Sequence, residues 1–219
     1  MKATEKLLFP SLNCANFDCL KEEVMELDAA GADGFHLDIS DGTIFPRLSM
    51  GMRDLQSVRR NTDKPVDVHL YMSNPSRFIE MFAKEGADIL YVFPESEPFI
   101  SFSLYRIREL GKHPGLAVGW GTSVESLTGV LPLVDYVMVN ASNPVAENSI
   151  LMEGIFEKVE QLLNFKEKHP FKLLMDGAIT PKVIEKASAM GVDGYAMGTG
   201  CLFGWEQEYK SIFEFIRKL

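Results

Sequence analysis

The stretch Gly34-Phe-His-Leu-Asp-Ile-Ser-Asp-Gly42 alternates the apolar residues Phe35, Leu37 and Ile39 with His36, Asp38 and Ser40. In a strand, residues two apart share a face, so an imidazole and a carboxylate would stand side by side opposite an apolar face. Two further stretches repeat the theme. Val66-Asp-Val-His-Leu-Tyr-Met72 carries His69, and Lys172-Leu-Leu-Met-Asp-Gly-Ala178 carries Asp176 followed by Gly177. Neutral imidazoles and carboxylates together suit one divalent metal ion such as Zn, Fe(II), Mn or Co. Carboxylates can also transfer protons. Each of these residues alone could equally be a buried structural group bonded to backbone. The chemistry requires a fold that brings all of them to one place.

The chain supplies a candidate for that fold. Gly31-Ala32-Asp33, Gly86-Ala87-Asp88 and Gly191-Val192-Asp193 are near-copies, each after a helical pattern and before a short apolar run. Glycine just past a helix is a stop signal. Strands are expected near 7–12, 34–39, 66–70, 88–93, 115–119, 134–140, 171–176 and 193–198. Helices are expected near 17–30, 51–60, 75–85, 99–110, 123–131, 153–167, 180–190 and 205–218. Strict alternation implies parallel strands with crossover helices. Eight such units predict an α/β fold in which residues 1–219 form a single (β/α)₈ barrel domain, with an open doubly wound sheet as the alternative.

In such a barrel, reactive groups sit at the C-terminal ends of the strands. His36, Asp38, His69 and Asp176 would then converge at the mouth from three strands. Ser11 ends the first strand and Gly198-Thr199-Gly200 ends the eighth. Glycines after strands seven and eight can simply make tight turns. Those two loops are also where barrels commonly bind phosphate.

Composition narrows the partners. The chain of 219 residues has 22 Lys and Arg against 31 Asp and Glu, a formal net charge of −9. An acidic chain without a basic run argues against nucleic acid or an anionic membrane, but leaves room for an anionic small molecule at a locally positive site. The cysteines Cys14, Cys19 and Cys201 fit neither a zinc motif nor a disulfide framework. No signal peptide or membrane span is expected, so the expected setting is the cytoplasm. His113 and His169 each precede Pro and are expected in exposed loops. Cys14 has no evident general base to make it a nucleophile.

The segments PSLNCANF, AAGADGFHLDISDGTIFPRLSMG, KPVDVHLYMSNPSRFIEMFAKEGADIL, LLMDGAIT and GVDGYAMGTGCLF resemble the ribulose-phosphate 3-epimerase family over nearly the whole chain. The resemblance implies a metal-dependent sugar-phosphate 3-epimerase converting ribulose 5-phosphate to xylulose 5-phosphate. One divalent metal would be held by His36, Asp38, His69 and Asp176. Asp38 and Asp176 would be the two proton-transfer groups on opposite faces of C3, with the metal stabilising an enediolate between C2 and C3. Ser11, His69, Gly177, Ala178, Gly198 and Thr199 would contact the substrate. A homo-oligomer is also implied.

The chain departs from the family at its sixth loop, which usually reads N-P-G-F-G-G-Q. Here the run is Asn143-Pro-Val-Ala-Glu-Asn-Ser149, without glycine and with Glu147 added. Ser40, Tyr71 and Asn140 replace methionines, and Phe93 replaces a histidine. These changes leave open an epimerase of another ketose phosphate, such as a hexulose 6-phosphate like allulose 6-phosphate, or a non-catalytic metal- or sugar-binding paralogue. Related decarboxylase barrels carry D-x-K-x-x-D on a central strand. The run Asp67-Val-His-Leu-Tyr-Met72 has no Lys, which argues against that reaction.

Overall fold

The three Gly-x-Asp units show how the barrel is assembled. Gly31, Gly86 and Gly191 adopt left-handed backbone (φ 109°, 113° and 110°) that ends the preceding helix or leads out of it. The aspartate two residues on then accepts a hydrogen bond from the backbone at the start of the neighbouring strand. Asp33 takes Leu8 N–H (2.8 Å), Asp88 takes Val66 N–H (3.0 Å) and Asp193 takes Leu173 N–H (2.7 Å). Each carboxylate also meets a cation: Arg217, Arg59 and Lys166 respectively. One tripeptide thus stops a helix, aligns two strands and neutralises its own charge.

This computed structural model describes residues 6–143 and 150–219. Its strands are β1 (Leu7–Pro10), β2 (Phe35–Ser40), β3 (Val66–Tyr71), β4 (Ile89–Val92), β5 (His113–Val118), β6 (Tyr136–Asn140), β7 (Lys172–Asp176) and β8 (Gly194–Met197). All the pairings are parallel, in the ring order β1-β8-β7-β6-β5-β4-β3-β2. A parallel bridge between Ser11 and His36 joins β1 to β2 and completes the circuit. The fold is a (β/α)₈ barrel, as the alternation predicts.

The helices are α1 (Leu20–Ala30), α2 (Met52–Arg59), α3 (Ser76–Lys84), α4 (Ile100–Glu109), α5 (Ile155–Lys166), α6 (Pro181–Met190) and α7 (Tyr209–Lys218). The helix expected over 123–131 is absent; two 3₁₀ turns, Glu125–Leu127 and Leu131–Leu133, take its place. Ser126 and Thr128 hydroxyls bond back to the carbonyls of Ser123 and Glu125. Such local bonds compete with a helix, and Gly129 and Pro132 weaken it further. His113 begins β5 rather than lying in a loop, although its side chain is exposed and pairs with Asp135. By contrast, α6 has its expected signals: the Thr180 hydroxyl accepts from Val183 N–H, Pro181 opens the helix and Gly191 closes it.

Two apolar layers follow from the period of two. Phe35, Leu37, Val66, Val68 and Leu70 point outward and pack under helix residues such as Val24, Leu27 and Leu55. Phe9, Ile89, Tyr91, Ala117, Met138, Leu174 and Ala196 point inward and fill the barrel. A Cβ on Gly115 would lie 2.4 Å from the Tyr91 ring, so glycine there makes room for that side chain. This plug fills the interior beneath the strand ends and leaves the polar mouth above it.

Candidate metal and active site

The same alternation that sends Leu37 outward sends His36 and Asp38 inward on β2. His69 enters from β3 and Asp176 from the end of β7. The register sets Asp38 opposite His69 and Asn140 opposite Asp176. His36, Asp38, His69 and Asp176 each offer one donor atom, all within 4.8 Å of one another. His36 Nε2 is 3.0 Å from Asp38 Oδ1 and 4.0 Å from Asp176 Oδ2. His69 Nδ1 is 3.5 Å from Asp38 Oδ1 and 3.7 Å from Asp176 Oδ2.

This donor set fits a divalent cation. Ligand bonds of about 2.1 Å in tetrahedral array put donors about 3.4 Å apart, in the middle of the observed range. The imidazoles are fully buried, and both nitrogens of His69 have no hydrogen-bond partner among the described residues. Leaving such a group unsatisfied costs about 1–3 kcal/mol, which a cation on Nδ1 would offset.

Behind the donors lies a supporting layer. His36 Nδ1–H donates to the buried Asp67 carboxylate at 2.5 Å, which orients the ring and leaves Nε2 as the donor atom. His69 stacks on Phe93, with ring centroids 5.0 Å apart and planes 15° apart. Asp38 N–H donates to the Asn13 side chain (3.3 Å), and the Ser49 hydroxyl donates to Asp38 O (2.6 Å). Asp67 shares the inward face of β3 with His69 and Tyr71, so the period of two contained this signal. Asn13 and Ser49 lie in loops and have no periodic signature.

The two carboxylates are pushed in opposite directions. Burial would raise the pKa of Asp38, but His36 and His69 overcome it and hold the group well below the usual range. Burial raises Asp176, and the negative Asp38 beside it raises it further. Burial likewise opposes charge on His36, yet Asp67 and Asp38 lift its pKa well above 6.5.

Above these groups opens a cavity of about 500 Å³. Ser11, Gly177, Ala178, Gly198 and Thr199 line it beside Asp38 and Asp176, whereas the fully buried His36 and His69 lie beneath. Gly177 and Ala178 both have positive φ (84° and 53°), and a Cβ on Gly177 would come within 2.3 Å of the Ser142 hydroxyl. Alanine in that region is uncommon, and such conformations cluster at functional sites. Tyr71 from β3 and Asn140 from β6 meet across the interior, with Asn140 Nδ2–H donating to Tyr71 Oη. Cys14 lines the cavity near Thr199, but burial pushes its thiol pKa up, away from nucleophilic use. Of the altered sixth loop, Asn143 lines the cavity; residues 144–149, including Glu147, lie outside the described residues.

Comparison with solved structures supports the architecture. The chain superposes on KGPDC from Streptococcus mutans with a TM-score of 0.77 and 12% identity, covering 97% of both chains. It superposes on 3-keto-L-gulonate-6-phosphate decarboxylase from Vibrio cholerae with a TM-score of 0.73 and 14% identity, covering 98% of both. At these identities the likeness concerns fold alone. Sequence comparison goes further. The chain is 31% identical over 212 residues to ribulose-phosphate 3-epimerase of Bacillus subtilis (strain 168), covering 94% of this chain and 95% of the relative. It is 33% identical over 199 residues to ribulose-phosphate 3-epimerase of Treponema pallidum (strain Nichols), covering 90% and 91%. The profile of the ribulose-phosphate 3 epimerase family matches residues 7–202, a span that contains all four donors and the turns after β7 and β8. With that match and a barrel mouth built around two imidazoles and two carboxylates, the chain belongs to the ribulose-phosphate 3-epimerase family.

Proposed function

We propose that this chain inverts C3 of a ketose phosphate, with ribulose 5-phosphate to xylulose 5-phosphate as the reaction, and that Asp38 and Asp176 carry the protons. The observation that carries this reading is the placement of the two carboxylates on β2 and β7, together in one cavity. Inversion needs a proton-transfer group on each face of C3. One carboxylate takes the proton from C3 and the other delivers one to the opposite face. The reverse reaction exchanges the roles. A divalent metal held by His36, Asp38, His69 and Asp176 would supply Lewis-acid stabilisation of charge on the substrate oxygens. Zn, Fe(II), Mn and Co all suit the donors. Ser11 and the turns at Gly177–Ala178 and Gly198–Thr199 would position the sugar phosphate. The family resemblance further supports a homo-oligomer, and the strand–helix alternation supports one barrel domain over 1–219.

A second reading has a specific observation behind it. The buried Tyr71–Asn140 pair makes the interior wall of the cavity polar, and Asn140 Oδ1 is left without a partner among the described residues. That wall favours a substrate with an additional hydroxyl in reach, such as a hexulose 6-phosphate. Retention of both aspartates argues against a non-catalytic paralogue.

The test is C3–H exchange in D₂O, followed by NMR on the metal-loaded protein with ribulose 5-phosphate and separately with allulose 6-phosphate. Deuterium at C3 together with the epimer is expected with the true substrate. Asp38→Asn and Asp176→Asn should each lower kcat at least 10²-fold, within the usual range for loss of a general acid or base. Exchange with neither sugar would overturn the proposed reaction.

A further inference from the structure

The cavity has an electrostatic problem. It contains Asp38 and Asp176 in a chain of net charge −9, yet its proposed substrate is an anion. Among the described residues that line it, the one Lys or Arg is Arg47. That residue belongs to the loop after β2, which doubles back on its own strand. Asp41 bridges Leu48 in antiparallel sense and Ile39 bridges Met50. The Ser40 hydroxyl donates to Arg47 O (2.6 Å), and Ser40 N–H donates to the Ser49 hydroxyl (3.0 Å), which itself donates to Asp38 O. The backbone of residue 47 is thereby tied to the strand that carries Asp38.

Arg59, Arg106, Arg108 and Arg217 each pair with a carboxylate. Arg47 has no ion pair or side-chain hydrogen bond among the described residues. Cys14 lines the cavity together with Arg47 and the Gly198–Thr199 turn. A Cβ on Gly198 would touch Cys14 Sγ at 3.4 Å. Burial pushes the Cys14 thiol pKa up and Thr199 N–H bonding pulls it down. Of the charges that act on it, Asp38 and Asp176 raise it and Arg47 alone lowers it. Arg47 from the β2 loop thus lines the same cavity as Cys14 and the Gly198–Thr199 turn.

We propose that Arg47 is the phosphate-binding cation of this site, closing on the substrate's phosphate monoester from the β2 loop opposite the Gly198–Thr199 turn. The inference rests on the reading of the substrate as a ketose phosphate. Its chemical basis is the planar fork of donors that arginine offers to phosphate oxygens, with a charge that does not titrate near neutrality. No glycine-rich segment is needed for this grip.

The test compares Arg47→Gln and Arg47→Lys with the unaltered protein, all metal-loaded. With ribulose 5-phosphate, Arg47→Gln should lower kcat/KM about 10- to 100-fold through KM, with kcat within about threefold, the size of effect expected for one charge-assisted contact. With unphosphorylated ribulose the two proteins should match. Arg47→Lys should recover part of the loss, because it restores charge but not the fork. An unchanged KM, or an equal loss on both sugars, would overturn the proposal. Binding of inorganic phosphate by calorimetry separates this from failure of the proposed reaction. If no ketose phosphate turns over, phosphate binding about tenfold or more tighter in the unaltered protein than in Arg47→Gln still upholds Arg47. Equal binding, or none in either, sinks it.

Discussion

His36 shows how much a candidate ligand depends on what lies behind it. Its ring is held by Asp67, and the same carboxylate sets its protonation. Replacing Asp67 with Asn removes the charge while keeping the shape. Metal affinity is expected to fall about 10- to 100-fold, as is usual when such a supporting group is lost, and competition with a chromophoric chelator measures it. A pH effect follows from the same contact. In the metal-free protein the pKa of His36 lies well above 6.5 despite burial, because Asp67 and Asp38 favour the imidazolium. A raised folded pKa means that the stability contributed by this group is full below about pH 6.5 and is lost as pH rises through the folded value. A ligand nitrogen must give up its proton, so metal uptake releases that proton and metal affinity rises with pH over the same interval. Chelator competition at two pH values in that interval should show tighter binding at the higher one. Affinity that is flat with pH would mean that His36 is already neutral in the metal-free protein.

At the scale of elements, the Gly-x-Asp units carry the register on which the site depends. Asp193 is nearly buried, accepts from Leu173 N–H and pairs with Lys166 at the start of the strand that ends in Asp176. Asp193→Ala would strand both the amide and the ammonium. A loss of about 3 kcal/mol is expected, the size typical of removing one partner of a buried pair, and urea denaturation reads it. A change below about 1 kcal/mol would show that Lys172, also near Asp193 at 3.6 Å, and water replace the contact. The missing helix between β5 and β6 belongs to this scale too. Its apolar positions Val124, Leu127 and Leu131 are buried as the pattern requires, but they are presented by two short turns. Apolar spacing locates a buried face; it does not by itself distinguish a helix from successive turns whose hydroxyls satisfy the backbone.

Across the whole molecule, the four donors come from three strands separated by long stretches of chain. His36 and Asp38 lie on β2, His69 on its neighbour β3, and Asp176 on β7. A cation bound there would cross-link the ring near the β1–β2 closure, where the single Ser11–His36 bridge stands in for a longer ladder. Binding to the folded state alone stabilises by about 4 kcal/mol at a thousandfold excess over Kd. For a chain of this length, that corresponds to a rise in Tm on the order of 10 °C. Thermal denaturation with added Mn(II) or Co(II), then with excess EDTA, should show the rise and its reversal. A Tm indifferent to both would count against a metal centre at these four residues. The described helices include none long and apolar enough to cross a membrane.

The sequence alone determined the alternation of strands and helices at every crossover but the one between β5 and β6, the inward face of β2 and the four candidate donors, because periods of two and of about 3.6 are local properties of a chain. His36 and Asp38 could be read as neighbours from two residues of spacing. The resemblance to a family then joined them to His69 and Asp176. Only the tertiary structure decided which groups stand behind the donors and which lean over them. Asp67 supports His36 through a pairing between β2 and β3, Tyr71 meets Asn140 across the barrel, and Arg47 reaches the cavity because its loop folds back on β2. Each of these contacts joins residues through ring closure or loop geometry rather than through a repeat along the chain. Their energies depend on distances that no local pattern encodes.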